Sequence, residues 1–268
     1  MRNPENLSAL KDLMPKFNPE TPDITLAASP LKRGRKPLPA EKSAARLAAI
    51  AEAATICFSE AGFRRTQVAD IARQMGVSAG TLYLYADSKG ALFHLAVLHV
   101  TRQALTDLPL PVTDPGIKTT LRVLTEAISR RSYWPALYAA LKTDKAPDLE
   151  TLETIGGEIY DTLTEERRTI WLLDACNLDI PELNTIYRRN VRGAYLMDLA
   201  SLMERSVRPD LSAPQKSIAL RGAVEIIAWA AMHRRRERGL PDEYQASETE
   251  TRDAAKRAFA AALLSQTY

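Results

Sequence analysis

Helix signals are densest in IAEAATICFSEAGFRRTQVADIARQMGVSAGTLYLYADSKGALF, residues 50–93. Apolar side chains recur every three or four residues from Leu47 to Ala61, which predicts an amphipathic helix over residues 41–61. Gly62 follows the last apolar position of this series, where a left-handed helix C-cap is expected.

Two shorter helices are predicted directly after Gly62. Thr66 has the residue type of an N-cap and precedes a candidate helix over residues 67–74. Gly76 would end that helix, and Ser78 would cap the next one, over residues 79–86. A short helix, a glycine-containing turn and a second short helix are the spacing of a helix-turn-helix motif.

The second helix of such a motif lies in the DNA major groove with its first residues against base edges. Small residues at Ala79 and Gly80 would permit close approach, and the Thr81 hydroxyl and methyl groups could contact bases. The candidate DNA-contacting residues here are Thr66, Ser78, Ala79, Gly80, Thr81, Tyr83, Tyr85 and Lys89. We assign phosphate contacts to Thr66 and Lys89, and base or phosphate contacts to the two tyrosines. The alternative is an ordinary helical hairpin with half-buried tyrosines.

The charge distribution singles out the same part of the chain. The overall net charge is +3, but residues 31–102 carry eleven basic and five acidic side chains, while residues 103–268 are slightly acidic. The run KRGRKP, residues 32–37, has the composition of a flexible arm that enters a minor groove beside a docked helix. Its candidate contacts are Arg33, Arg35 and Lys36. A solvated charge run is the alternative interpretation.

Proline positions predict the boundaries of the chain's parts. Seven of the 16 prolines lie in the first 39 residues, so residues 1–40 are predicted to be a disordered leader with the basic arm. Residues 41–102 would form the helix-turn-helix domain, and residues 103–268 a larger helical domain. The later helices are expected at 88–107, 116–130, 132–144, 148–175, 181–206, 213–238 and 246–266. The predicted fold class is therefore all-α.

Several functional classes find no support in the sequence. No segment is apolar enough to cross a bilayer, and the first residues lack a secretory signal, so no membrane partner is expected. Two cysteines cannot build a disulfide framework and indicate a reducing cytoplasm. We find no metal-ligand spacing, phosphate-binding loop or nucleophile motif, and His94 and His99 are five residues apart. No catalytic site, metal site or cofactor is predicted.

Residues 50–93 resemble the N-terminal DNA-binding domain of TetR/AcrR-type bacterial transcriptional regulators. The matching positions are Ile50, Ala53, Ala54, Phe58, Gly62, Phe63, Thr66, Ile71, Ala72, Gly76, Val77, Ser78, Gly80, Thr81, Leu82, Tyr83, Tyr85 and Lys89. The chain departs from the family at Ala86, where an aromatic residue is usual, and at Gly90, where an acidic residue is usual. Both departures bear on the start of the following helix.

The resemblance implies a homodimeric repressor that binds a palindromic operator and is released by a small-molecule effector. It also implies that the C-terminal domain holds the effector cavity and that two late helices form the dimer. In the predicted helix 213–238, Ile218, Gly222, Ile226 and Ala230 recur at four-residue steps and would let another helix approach closely. A helix buried within one subunit is the alternative.

Aromatic residues are the candidates for lining the effector cavity. They are Trp134, Tyr138, Tyr160, Trp171 and Tyr187, each of which could equally be an ordinary core residue. Two other functional classes stay open at this point. One is a helical enzyme or ligand-binding protein with an incidental helix-turn-helix, and the other is a regulator controlled by a protein partner.

Overall fold

A computed structural model describes residues 40–131, 134–186, 193–205, 211–237 and 246–265. The side chains of residues 40–42 and 194 are not described. The predicted leader and basic arm, including Arg33, Arg35 and Lys36, therefore lie outside the described residues, as does Tyr187. Within those ranges the chain folds into helices and contains no strand, which confirms the all-α prediction.

Four helices cover the region that the sequence analysis singles out. They are α1 (Ala40–Arg65), α2 (Val68–Gln74), α3 (Ala79–Leu82) and α4 (Lys89–Val100). Gly62 has φ 79° and ψ 173° and interrupts the helical geometry near the end of α1. The positive φ agrees with the prediction, but the extended ψ is not that of a left-handed C-cap, and α1 continues to Arg65 instead of ending at residue 61. The predicted helix 79–86 is shorter than expected, since α3 ends at Leu82.

The remaining described helices form the larger part of the chain. They are α5 (Ile117–Arg131), α6 (Pro135–Leu141), α7 (Leu149–Cys176), α8 (Pro181–Ile186), α9 (Ala194–Met203), α10 (Ala213–Ala231) and α11 (Glu248–Leu264). A short 3₁₀ turn, His233–Arg235, follows α10. The predicted helix 181–206 is represented by α8 and α9, which are separated by residues outside the described set.

The helix predicted over residues 88–107 is shorter in the structure, at its C-terminal end. The α-helix α4 ends at Val100, and Arg102 adopts a positive φ of 57°, which is incompatible with helix continuation. The Arg102 guanidinium donates to the side chain (2.8 Å) and carbonyl oxygen (3.0 Å) of Glu165 on α7. A contact with a residue so distant in sequence left no signal in the local pattern.

One hydrophobic core runs through the described helices. Helix α1 packs against α4 and α7, and α7 packs against α10 and α11. The Phe58 and Phe93 rings meet edge to face at 5.3 Å, and neither side chain is more than 2% exposed. This packing fixes α1 and α4, and through them it positions α2 and α3.

No helix of the described ranges combines the length and apolar character needed to cross a bilayer. Among the same residues no group of three potential metal ligands converges on one point.

Candidate nucleic-acid interface

Helices α2 and α3 are joined by the tight turn that the glycine pattern predicts. The Gln67 backbone N–H donates to Asp70 Oδ2 at 2.9 Å, and this bond closes the start of α2. It is also the main reason why the pKa of Asp70 is lowered. Gly76 has φ 67°, and the Val77 N–H then donates to the Ala72 carbonyl at 2.9 Å. This left-handed glycine with its return bond is a helix C-cap arrangement.

Helix α3 begins with the predicted cap. Ser78 Oγ accepts a hydrogen bond from the Thr81 N–H at 3.2 Å, which confirms Ser78 as the N-cap. The Ser78 and Thr81 hydroxyl oxygens lie 2.9 Å apart in a second hydrogen bond. Ser78 and Gly80 are exposed, Ala79 and Thr81 are half-buried, and Leu82 anchors the helix with 1% exposure. The first turn of α3 therefore presents small and hydroxyl-bearing residues at the surface.

The two candidate tyrosines are placed differently. Tyr83 follows α3 with 49% of its surface exposed, so its side chain is available to a ligand. Tyr85 is half-buried and packs against the core, while its carbonyl oxygen accepts a hydrogen bond from the Val112 N–H at 2.8 Å. Tyr83 is thus the more accessible of the pair.

Thr66 is not an N-cap, and that prediction is wrong. The structure makes Gln67 the N-cap of α2, and Thr66 is 1% exposed. Its hydroxyl donates to the carbonyl oxygens of Gly62 (2.7 Å) and Cys57 (3.1 Å), which closes the end of α1. A phosphate contact requires a hydroxyl that faces the surface, and we therefore leave Thr66 out of the interface.

Lys89 joins two helices at the rim of this surface. Its Nζ donates to the Arg64 carbonyl at 3.1 Å and lies 4.7 Å from the centre of the Phe63 ring. Burial lowers the pKa of Lys89, and the nearby Asp179 carboxylate opposes that shift. The ammonium group therefore holds the start of α4 against the end of α1, whereas the sequence pattern predicts a contact with a DNA phosphate for it.

The two departures from the family pattern lie beside residues 112–114. Ala86 is fully buried and forms an isolated bridge with Val112, so the usual aromatic side chain there would need its surroundings to move. At Gly90, a Cβ atom would lie 1.9 Å from Asp114 Oδ2. Helix α4 nevertheless starts normally, because Ser88 caps it by accepting the Ala91 N–H at 3.1 Å.

A small cavity of about 50 Å³ lies in the larger helical part. Its lining residues come from α5, α7 and α9 and from the residue before α6: Ile128, Arg131, Trp134, Thr162, Leu163, Glu166, Thr169, Ile170 and Tyr195. Inside it, Arg131 Nη1 forms an ion pair with Glu166 Oε2 at 3.0 Å. Most of the remaining wall is apolar.

Of the predicted cavity aromatics, the structure places Trp134 at this cavity. Tyr138, Tyr160 and Trp171 do not line it. The Tyr160 hydroxyl donates to Glu248 Oε1 at 2.5 Å, and Trp171 packs under the Arg236 guanidinium. Sequence reasoning missed Tyr195, whose ring centre lies 5.6 Å from that of Trp134, and it missed the Arg131–Glu166 pair. An arginine and a glutamate 35 residues apart give no sequence signal for their pairing.

Comparisons with known proteins bear on the N-terminal helices. Residues 50–96 match the family model described as bacterial regulatory proteins, tetR family. No curated protein matches the chain. A Mesorhizobium loti protein assigned to the TetR family is 18% identical, with a TM-score of 0.43, over 85% of this chain and 99% of its own. The fatty acid degradation regulator FadR from Bacillus halodurans is 15% identical, with a TM-score of 0.40, over 84% and 97%.

Proposed function

We propose that this chain, which carries the helix-turn-helix DNA-binding domain of the tetR family of bacterial regulatory proteins, is a homodimeric repressor of transcription. In this proposal it acts in the cytoplasm, binds a palindromic operator and leaves it when a small molecule binds. Residues 41–102 read the DNA, residues 103–268 form the regulatory and dimerisation domain, and residues 1–40 are a leader with a basic arm. The observation that carries the proposal is the exposed first turn of α3, within the region that matches the family model.

DNA reading is assigned to the start of α3 and the residue that follows it. The backbone approaches base edges at Ala79 and Gly80, and the Thr81 and Tyr83 side chains supply hydrogen-bonding groups. Ser78, Tyr85 and Lys89 hold these groups in place through the contacts described above. The arm residues Arg33, Arg35 and Lys36 supply charge to the adjacent minor groove.

Dimerisation is assigned to the outer face of α10. Ile218 is 72% exposed and Trp229 is 40% exposed, although both are large apolar side chains on one helix. Ala230, which the four-residue pattern placed on this face, is instead buried within the subunit. Between Ile218 and Trp229, a Cβ atom on Gly222 would meet nothing within 4 Å, so a second helix could approach closely there. A two-fold dimer through this face would match the symmetry of a palindromic operator.

Effector release is assigned to the cavity beside Trp134. Its volume of about 50 Å³ is far below the about 300–1,000 Å³ of ordinary ligand sites. An effector therefore binds a widened form of the cavity, and its preference for that form is what shifts the conformational equilibrium. Glu166 pairs with both Arg131 and Arg102. Arg102 also pairs with Glu165, so the charges of this group balance. The site therefore favours an uncharged, largely apolar molecule.

Selection of bound duplexes from a random DNA pool tests the function directly. The proposal expects an enriched palindrome whose half-site centres lie about 34–36 Å apart. Binding should weaken steeply as salt increases, because phosphate neutralisation releases counterions. Absence of any enriched sequence, or binding that ignores salt, would refute DNA recognition. An enriched but asymmetric site would refute the two-fold dimer alone.

A further inference from the structure

A segment from the larger part of the chain closes over the residues that leave α3. We name residues 112–116 the strap. The Val112 N–H donates to the Tyr85 carbonyl at 2.8 Å, and the Asp87 N–H donates to the Val112 carbonyl at 3.0 Å. Ala86, between the two bonded residues, is fully buried, and Val112 is only 4% exposed. Two backbone hydrogen bonds and a buried side chain thus fix the path of residues 85–87.

Asp114 packs the strap against the first turn of α4. Its N–H donates to Asp87 Oδ1 at 3.3 Å, and its own Oδ1 accepts the Gly116 N–H at 2.8 Å. Its Oδ2 occupies the space that a Cβ atom at position 90 would need, at 1.9 Å. The strap can therefore sit this close only because residue 90 is glycine.

The far end of the strap is attached to α4 as well. The Gly116 carbonyl accepts the Thr120 N–H at 3.2 Å, and Thr120 Oγ1 lies 3.0 Å from His94 Nδ1. Thr120 is 2% exposed and His94 is 9% exposed, so this hydrogen bond is inside the protein. With both ends held, the strap moves only if one of these contacts breaks.

We propose that the strap positions the recognition helix, and that Val112 and Asp114 set operator affinity without contacting DNA. This inference rests on the proposed DNA-binding function. Helix α3 has only four residues, which is too short to hold its own orientation. The side chains that contact a ligand must be held to within about 0.5 Å of their binding positions. For α3, the hydrogen bonds of Tyr85 and Asp87 with Val112 supply that constraint.

The charge of this region argues for positioning rather than contact. Asp87 and Asp114 are both acidic and exposed, and carboxylates repel the phosphate backbone. Residues selected to touch DNA at this place would be basic or neutral. The backbone groups and carboxylates of Asp87 and Asp114 instead make hydrogen bonds within the protein.

Gly90→Ala tests the strap, with Asp114→Ala as its partner in a double-mutant cycle. The three atoms nearest to a Cβ at position 90 are Oδ2, Oδ1 and Cγ of Asp114, and Asp114→Ala deletes all three. In the wild-type background, Gly90→Ala should weaken operator binding about tenfold. Its non-specific DNA affinity should stay within about twofold, because no group that contacts phosphate is removed. In the Asp114→Ala background, Gly90→Ala should have no further effect.

Gly156→Ala on α7 is the matched control. There a Cβ atom would lie 2.8 Å from a Phe259 ring carbon, so the substitution strains the contact between α7 and α11 and not the one between the strap and α4. It should lower the melting temperature and leave operator affinity unchanged. An equal loss of operator binding from Gly90→Ala in both backgrounds, or no loss in either, would overturn the proposal.

Backbone amide exchange without DNA separates failure of the strap from failure of the proposed function. Gly90→Ala should speed exchange at Asp87 and Val112, whose N–H groups make the two bridging bonds. Unchanged exchange at both positions overturns the strap whatever the DNA result. A different outcome is that Gly90→Ala speeds exchange but the wild-type protein selects no DNA sequence. That outcome would refute the proposed function and the effect on affinity, and it would still confirm that the strap holds residues 85–87.

Discussion

A Cβ atom on Gly62 would lie 2.7 Å from the carbonyl oxygen of Ala175, near the end of α7. The Arg64 N–H, two residues further on, donates to Asp179 Oδ2 at 2.7 Å. The end of α1 is therefore joined to the end of α7 by close backbone approach and by a hydrogen bond to a carboxylate. Gly62 serves two purposes, since its φ of 79° turns the chain and its missing side chain permits the contact.

Gly62→Ala should destabilise the protein more than Gly76→Ala does. Both glycines have positive φ, where an alanine costs about 1–2 kcal/mol, and the ψ of 173° at Gly62 lies in a region that essentially only glycine populates, where the cost reaches about 3 kcal/mol. At Gly76 nothing lies within 4 Å of the added Cβ, so the backbone conformation accounts for the whole effect. At Gly62 the collision with Ala175 adds about 1–3 kcal/mol. Urea denaturation of the two variants measures the difference, and equal free energies of unfolding would contradict the collision.

Tyr83→Ala should weaken operator binding about tenfold and leave the fold intact. Tyr83 is 49% exposed, so its removal takes little apolar surface out of the core. Met197→Ala removes another exposed side chain, on α9, and should change neither stability nor DNA affinity. Fluorescence anisotropy with the selected operator gives the affinities. Operator binding by Tyr83→Ala at wild-type strength would remove this residue from the interface.

Deletion of residues 32–37 should weaken DNA binding and flatten its salt dependence. The segment carries Lys32, Arg33, Arg35 and Lys36. The slope of log K against log salt should become shallower by about 0.9 for each DNA phosphate that these cations no longer neutralise. Deletion of the uncharged residues 24–29 shortens the same leader equally and should leave the slope unchanged. Identical slopes for the two deletions would refute a role for the basic arm.

Ile218→Glu should convert the dimer to monomers and abolish binding to a palindrome. Ile218 is 72% exposed in one subunit, so the substitution costs the isolated subunit little, but a dimer through α10 would bury two carboxylates. Met197→Glu, at an equally exposed position, is the control and should remain dimeric. Sedimentation velocity distinguishes the two states. A dimeric Ile218→Glu variant would exclude this face of α10 from the interface.

The local structure of the DNA-reading region could be predicted from the sequence. Ser78 caps α3, and Gly62 and Gly76 have the positive φ that their positions predict. These features depend on backbone geometry within four or five residues, which residue type and spacing largely determine. The strap contacts at Ala86 and Gly90 could be noticed only as departures from a family pattern, with no indication of their cause.

Two kinds of feature could not be predicted. One is a choice between nearby partners: Thr66 has the residue type of an N-cap, but its hydroxyl bonds to the carbonyls of Gly62 and Cys57, four and nine residues before it. The other depends on contacts between residues distant in sequence. Trp171 and Trp134 look alike in sequence, and only Trp134 lines the cavity. Which of several suitable partners a side chain meets depends on tertiary packing, which no local pattern encodes.

Acidification should lower the free energy of unfolding because His94 takes up a proton more readily in the unfolded chain. His94→Asn should reduce this loss of stability. Burial lowers the pKa of His94, and the Asp114 carboxylate opposes the shift. Since the folded pKa is below the unfolded value, the unfolded chain takes up a proton first as the pH drops. The stability present above about pH 6.5 is therefore lost progressively down to the folded pKa. Asparagine keeps a polar atom near Thr120 but does not titrate. Urea midpoints from pH 7.5 to 5.5 should decline less steeply in the variant, and parallel declines would show that His94 is not the group responsible.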